Sequence, residues 1–283
     1  MKTVPVTIPD LLEWKKNQRI ITALTAYDYS FARFLDEADI DIVLVGDSLG
    51  MVSLGYENTL PVTMDEMIHH TRAVRRGIRH ALLVGDMPFM SYQVSDQDAI
   101  LNAGRFIKEG GAQAVKLEGG AQVLDRVQAL VGAGISVMGH VGLTPQSVHQ
   151  FGGYKVQGKN YLNARQIKKD AFGLQKTGAF AVVLEGIPAD LAAEITAELT
   201  IPTIGIGAGP QCDGQILVTQ DMLGMNLDFF PKFVKKYADV GDTIQSALQD
   251  YIQEVRSGTF PDEEHSYRVE RKPLRKVENA NGA

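Results

Sequence analysis

The chain contains a single cysteine, Cys212, among its 283 residues. One thiol cannot form an intramolecular disulfide, which fits a reducing compartment. It also excludes a zinc cluster made from several cysteines of one chain. Any metal site within a single chain is therefore expected to use oxygen ligands or histidine nitrogens.

Long apolar runs and an excess of positive charge are also missing. No stretch approaches the ~20 apolar residues of a membrane span, and residues 1–10 are polar and interrupted by proline, unlike a secretory signal. Lys and Arg number 28 against 34 Asp and Glu, which gives a formal net charge of -6. Such a chain has no cationic surface for nucleic acid or anionic membranes. We therefore expect a cytoplasmic protein with small-molecule substrates, which local groups must hold.

Hydrophobic residues make up 45% of the chain, and short β-rich runs alternate with longer stretches of helical periodicity. This alternation indicates βα units and a parallel sheet. The predicted strands are residues 20–25, 42–45, 81–84, 114–117, 136–138, 181–184, 203–206 and 216–219. The predicted helices are residues 30–38, 64–76, 96–108, 121–130, 164–176, 188–199 and 242–256. About eight units favour an α/β fold of the closed (β/α)8 TIM-barrel type over an open sheet.

Two terminal features complete this prediction. Thr7, with Asp10 three residues later, is a plausible start for an extra N-terminal helix over residues 8–16, which could close the N-terminal end of the barrel. After about residue 261 the chain is charged and lacks apolar periodicity, so we expect an extended tail that is mobile from about Lys272. No linker divides the chain, and a single barrel domain over residues 1–283 is predicted.

Charged residues follow the apolar runs at the point where each predicted strand ends. They are Asp47, Asp86, Glu118, His140 and Glu185. Because parallel strands of a barrel point their C-terminal ends to one face, these side chains are expected to converge there. An aspartate after a strand can also be a helix cap or turn former, but the Gly-Asp pair recurs at matching places on two consecutive strands.

Converging carboxylates repel one another unless a cation neutralises them. Oxygen ligands without cysteine favour a hard ion, Mg2+ or Mn2+, over zinc. We therefore predict a divalent-cation site on Asp47 and Asp86, with Glu118 as a further ligand, either directly or through water.

Three neighbours of this site have alternative roles. Lys116 and Glu118 share one face of their strand, which turns Val115 and Leu117 towards the helices. Lys116 can form a salt bridge with Glu118 or Asp86, or it can hold a substrate carboxylate. Glu185 is a candidate general base or a member of a structural ion pair, and His140 can contact a ligand or only complete the rim.

Two glycine-rich segments lie between the later predicted strands. Residues 205–209 have the wrong spacing for a dinucleotide-binding motif, and indicate either a close backbone approach to a ligand or a tight turn. Residues 144–163 form a long loop with Gly152, Gly153 and Gly158, which suggests a lid or a subunit contact.

Taken together, the segments from about residue 11 to 265 resemble one family, ketopantoate hydroxymethyltransferase, also called 3-methyl-2-oxobutanoate hydroxymethyltransferase. The segments that carry the resemblance are TALTAYD (22–28), VGDSLGM (45–51), GDMPFM (85–90), VKLEGG (115–120), GHVGLTPQ (139–146), FGGYKVQG (151–158), IGIGAG (204–209), DGQ (213–215) and PKF (231–233). This chain departs from the pattern at Gln220, where many relatives carry a histidine.

The resemblance implies a (β/α)8 barrel that assembles as a homodecamer of two stacked rings. It implies transfer of a one-carbon unit from 5,10-methylenetetrahydrofolate to 3-methyl-2-oxobutanoate, which yields 2-dehydropantoate for pantothenate and coenzyme A biosynthesis. It makes Asp47, Asp86 and Glu118 the Mg2+ site and Glu185 the catalytic base. The substrate-binding residues that it implies are Tyr27, Asp47, Ser48, Asp86, Lys116 and His140.

Two other interpretations are open from the sequence. A carbon–carbon lyase or phosphonomutase of the isocitrate-lyase type would use the same barrel and metal, but it resembles a pattern with a cysteine on a mobile active-site loop. Cys212 instead follows the late glycine-rich loop. A non-catalytic barrel that serves as a scaffold is the third interpretation, and the acidic rim argues against it.

Overall fold

The structure, a computed structural model, describes residues 4–226 and 231–268, and in this part of the chain eight parallel strands close into a barrel. Each strand pairs with the next along the chain, and β8 pairs with β1. The strands are β1 (Ile21–Thr25), β2 (Ile42–Val45), β3 (Leu82–Asp86), β4 (Ala114–Lys116), β5 (Val137–Gly142), β6 (Ala181–Glu185), β7 (Thr203–Ile206) and β8 (Gly214–Leu217). The predicted (β/α)8 barrel is confirmed.

Helices follow the strands, as the periodicity predicts. They are α1 (Ile8–Lys16), α2 (Tyr29–Glu37), α3 (Leu49–Val52), α4 (Met64–Gly77), α5 (Asp96–Arg105), α6 (Leu124–Gly132), α7 (Val148–Phe151), α8 (Tyr161–Lys176), α9 (Ala189–Glu198), α10 (Thr219–Met222) and α11 (Val240–Ser257). Ser95 caps α5 by accepting a hydrogen bond from Asp98 N. A π-helical turn, Phe106–Gly110, ends this segment before β4.

Strand residues alternate between two apolar layers. Ile42 and Leu44 belong to the cluster inside the barrel, whereas Val43 and Val45 pack in the outer cluster with the helices. The same two-residue period turns Ala114 inward and Val115 outward. This alternation decides which side chains reach the inside of the barrel at its C-terminal end.

Helix α1 packs against the interior of the barrel. The side chain of Leu11 is 0% exposed and joins the inner cluster, together with Ile21 of β1. Thr7 and Asp10 form a reciprocal capping box at its start. Helix α1 therefore covers the inner cluster at the N-terminal end of the barrel, where it would otherwise be exposed to water, as predicted.

The last strand differs from its prediction, since it runs over Gly214–Leu217 and not over residues 216–219. Gly214 has no side chain to reveal the alternating pattern, although its backbone pairs with Ile21 and Ile204. A Cβ on Gly214 would lie 2.6 Å from the carbonyl oxygen of Ile21. The close contact with the backbone of β1 therefore requires glycine at position 214, where the missing side chain also hides the apolar alternation that predicts a strand.

The chain comprises two compact units, residues 1–238 with the barrel and residues 239–283 with α11. The expectation of one domain over residues 1–283 stays a prediction. The tail predicted to be mobile from Lys272 lies outside the described residues. None of the helices within residues 4–226 and 231–268 combines the length and the apolar character needed to cross a membrane.

Candidate active site

The candidate catalytic side chains continue the inward-facing rows of their strands. Asp86 lies two residues after Val84 of the inner cluster, and Lys116 lies two residues after Ala114. The register pairs Asp86 with Lys116 on the neighbouring strand. The period of two therefore brings these charged groups to the C-terminal end of the barrel interior.

Three carboxylates meet at this end. One oxygen each of Asp47, Asp86 and Glu118 lies within 4.8 Å of the others, and all three residues are at most 5% exposed. Burial and the charges of its two neighbours raise the pKa of Asp47 well above its ordinary value. Burial also raises the pKa of Asp86, although Lys116 opposes the change. The predicted cluster of acids is present.

Lys116 is the cation within this cluster. Its Nζ donates to Asp86 Oδ1 at 2.7 Å and to Asp86 Oδ2 at 2.8 Å, and lies 3.5 Å from Glu118 Oε1. Although burial opposes it, the charges of Asp86 and Glu118 raise the lysine pKa. Burial raises the pKa of Glu118, but the nearby Lys116 outweighs burial and lowers this pKa below its ordinary value. The predicted salt bridge with Asp86 is confirmed, and the substrate contact of Lys116 stays a prediction.

The donor set of this cluster fits Mg2+. Three buried carboxylates face two cationic side chains, Lys116 and His140, so negative charge is in excess once all three acids are ionised. Mg2+ prefers hard oxygen ligands and binds through a few carboxylates together with water and substrate oxygens. A divalent cation between Asp47 and Asp86 would therefore offset both the burial and the repulsion that raise the pKa of Asp47.

His140 lies between two acids. Its Nδ1 is 3.5 Å from Glu118 Oε1, and its Nε2 is 3.3 Å from Glu185 Oε2. Burial and Lys116 lower the pKa of His140, but the two glutamates outweigh them and raise it to about 9. The ring is 2% exposed. The imidazole of His140 on β5 therefore lies between Glu118, which follows β4, and Glu185, which ends β6.

The other two predicted substrate residues are a hydrogen-bonded pair. Tyr27 Oη and Ser48 Oγ are 2.8 Å apart. Ser48 lines the central cavity, whereas Tyr27 is 2% exposed and is not among the described residues that line it. A role for Tyr27 in substrate binding stays a prediction, and its hydroxyl holds Ser48 in place.

Gln146 and Tyr92 belong to this site and were not given roles from the sequence. Gln146 donates from Nε2 to Asp47 Oδ2 at 2.9 Å and to the carbonyl oxygen of Met87 at 2.9 Å. Its backbone N–H donates to Glu118 Oε2 at 3.0 Å. Tyr92 donates from its hydroxyl to Gln146 Oε1 at 2.7 Å. Gln146 ends a recognised motif, which was a usable signal, whereas Tyr92 lies outside every recognised segment.

A cavity of about 1080 Å3 opens above these groups. Asp47, Ser48 and Glu185 line it, and so do both glycine-rich segments, through Gly207 and Tyr154. Both glycine-rich segments therefore lie beside the site. Movement of residues 144–163 as a lid stays a prediction.

Comparison with known proteins identifies the family. Residues 5–263 match the family model described as ketopantoate hydroxymethyltransferase. A relative from Clostridium novyi (strain NT) is 58% identical over 271 residues, which cover 96% of this chain and 98% of the relative. One from Clostridium kluyveri is 61% identical over 256 residues, which cover 90% and 91%. Both are named 3-methyl-2-oxobutanoate hydroxymethyltransferase. The chain belongs to the ketopantoate hydroxymethyltransferase family.

Solved structures outside this family share the fold. Phosphonopyruvate hydrolase has a TM-score of 0.62 at 11% identity and covers 93% of this chain and 92% of its own. A 2,3-dimethylmalate lyase of the PEP mutase/isocitrate lyase superfamily has a TM-score of 0.58 at 16% identity and covers 92% and 91%. At this identity the likeness concerns the barrel alone. Family membership therefore favours the hydroxymethyltransferase over the lyase, phosphonomutase and scaffold interpretations.

Proposed function

We propose that this family member transfers a hydroxymethyl group from 5,10-methylenetetrahydrofolate to 3-methyl-2-oxobutanoate and produces 2-dehydropantoate for pantothenate and coenzyme A biosynthesis. The observation that carries the proposal is the buried cluster of Asp47, Asp86 and Glu118 in the same cavity as Glu185. A 2-oxo acid needs a cation beside its two oxygens and a base at C3, and this cavity offers residues for both.

Asp47 and Asp86 would hold Mg2+, with Glu118 as the third acid. When bound, Mg2+ supplies Lewis-acid stabilisation for negative charge that develops on the keto oxygen. Lys116 and Ser48 orient the substrate, because the ammonium group at the base of the cavity attracts its carboxylate and the hydroxyl can donate to an oxygen.

Glu185 takes the proton from C3. Its Oε2 lies 3.3 Å from His140 Nε2, and an imidazole with a pKa of about 9 is protonated at neutral pH. That cation faces the carboxylate and positions it in the cavity for proton transfer. The bond from the methylene carbon to N10 of the folate breaks as N10 takes up a proton, which leaves an iminium at N5. The carbanion at C3 attacks this carbon, and its π electrons return to N5. Water then displaces N5 from the same carbon and gives it a proton, so that the hydroxymethyl product and tetrahydrofolate are released.

Exchange of the C3 proton tests this assignment without folate. We expect the protein with Mg2+ and 3-methyl-2-oxobutanoate in D2O to replace this proton by deuterium, as followed by NMR. EDTA and the variant Glu185→Gln should each abolish the exchange, and the exposed-site control Glu194→Gln should not change it. Undiminished exchange in Glu185→Gln would remove Glu185 from the role of base.

A product assay separates this reaction from that of the runner-up class. A lyase of the isocitrate-lyase type would release glyoxylate or pyruvate from its substrates, and we expect neither product here. Formation of 2-dehydropantoate only in the presence of both substrates would support the transferase.

We also propose a cytoplasmic homodecamer, on the family resemblance and the single cysteine. Sedimentation velocity of the full chain should then give a mass close to ten times that of the protomer. A monomer or dimer at micromolar concentration would contradict this assembly.

A further inference from the structure

The central cavity is larger than a five-carbon keto acid requires. Its volume is about 1080 Å3, slightly above the roughly 300–1,000 Å3 of pockets that take drug-sized ligands. The metal-site acids line the part formed by β2, β3 and β4. The wall formed after β7 and β8 carries polar groups that the keto-acid chemistry does not use.

Two adjacent residues on this wall are short of hydrogen-bond donors. Asp221 of α10 is 8% exposed and accepts one long hydrogen bond, from Asn226 Nδ2 at 3.4 Å. No Lys, Arg or His among the described residues forms an ion pair with it, and burial raises its pKa. Gln220 is also 8% exposed, and its Oε1 has no hydrogen-bond partner. Buried acceptors in this state favour a ligand that brings N–H donors.

An aromatic ring stands on the same wall. Phe233 is 39% exposed and lines the cavity with Gln220 and Asp221. Its inner side packs on Gly207, where an added Cβ would lie 2.8 Å from Phe233 Cδ1 and where the backbone has a φ of +62°. Glycine at this position therefore lets the ring lie close against the β7 loop and keeps its other side available to the cavity.

We propose that Asp221, Gln220 and Phe233 bind the pterin ring of the one-carbon donor. This inference rests on the proposed function. The 2-amino-4-oxopyrimidine edge of a reduced pterin presents two neighbouring N–H donors, from N3 and the 2-amino group, which match the two oxygens of one carboxylate. The flat ring can contact Phe233, and the amide of Gln220 can pair with the polar edge beside Asp221.

The test separates the two substrates. For Asp221→Asn we expect the KM for 5,10-methylenetetrahydrofolate and the Kd for tetrahydrofolate, from titration calorimetry, to rise at least about tenfold, because one charge-assisted hydrogen bond is replaced by a mismatched donor. The folate-free exchange of the C3 proton should stay within about twofold of the wild type. Phe233→Leu should weaken tetrahydrofolate binding in the same selective way.

A matched control is Asp170→Asn, which changes another aspartate whose pKa burial raises but which does not line the cavity. This variant should change neither the Kd for tetrahydrofolate nor the rate of C3 proton exchange. A ligand lacking the 2-amino group should bind wild type and Asp221→Asn equally, whereas tetrahydrofolate should distinguish them.

Three results would overturn the inference: an unchanged Kd for tetrahydrofolate in Asp221→Asn, loss of C3 proton exchange in that variant, or failure of the wild type to bind tetrahydrofolate. Failure of the proposed function has a different signature, because the wild type would then bind tetrahydrofolate or exchange the proton and still form no 2-dehydropantoate.

Discussion

The variant Gln146→Ala should weaken Mg2+ binding although it removes no metal ligand. The side-chain amide fixes Asp47 Oδ2 at 2.9 Å and is itself held by Tyr92 at 2.7 Å. A hydrogen bond to a charged group is worth about 1.5–3 kcal/mol. Loss of a group that orients a metal ligand typically costs roughly 10–100-fold in affinity. We therefore expect Mg2+ binding to weaken by about 2 kcal/mol, or roughly 30-fold.

Titration calorimetry of the metal-free protein with Mg2+ measures this change. Tyr92→Phe should produce a smaller loss, because Gln146 keeps its bonds to Asp47 and to the carbonyl oxygen of Met87. The control is Gln249→Ala, an exposed glutamine on α11, which should bind Mg2+ like the wild type. If Gln146→Ala is folded by its melting curve and binds Mg2+ within twofold of the wild type, the amide does not position Asp47.

Other perturbations test the metal site, a buried turn and the barrel end. Because the pKa of Asp47 is raised and a metal binds the ionised form, Mg2+ binding should release protons and weaken as the pH falls; titrations in two buffers of different ionisation enthalpy measure this release, and equal apparent enthalpies would contradict it. Asp36 accepts hydrogen bonds from the backbone N–H groups of residues 79–81, so Asp36→Ala should lower the free energy of unfolding by about 3 kcal/mol at pH 7. Burial raises the pKa of Asp36, but these hydrogen bonds outweigh it and lower the pKa in the folded protein. The stability that Asp36 contributes is therefore complete above its pKa in the unfolded chain and is lost as the pH falls through its pKa in the folded protein. A difference in unfolding free energy between wild type and Asp36→Ala that stays constant from pH 7 to 2 would refute this. Leu11→Ala should cost about 3 kcal/mol in urea unfolding, and a loss below 1 kcal/mol would show that α1 does not seal the inner cluster.

The sequence alone determined that the chain forms a barrel and that its charged groups lie at the C-terminal ends of the strands. Strand and helix periods are local properties, so most elements were predicted to within a few residues. Parallel strands share one direction, so Asp86 and Lys116, each at the end of its run, had to reach the same face. The family resemblance chose between the roles that the position of a residue left open, as for Glu185, which was a candidate base or a member of an ion pair.

Tertiary structure decided which groups support these residues. Gln146 reaches Asp47 across 99 residues of sequence, and no local period encodes such a contact. Lys116 had Glu118 and Asp86 as possible partners, and the pairing register of β3 with β4 brings Asp86 nearest, at 2.7 Å against 3.5 Å for Glu118. Likewise, Phe233 contacts Gly207 because the chain after α10 passes back over the loop that follows β7. Spacing along one chain fixes the direction in which a side chain points, whereas its partners depend on how distant strands and loops come together.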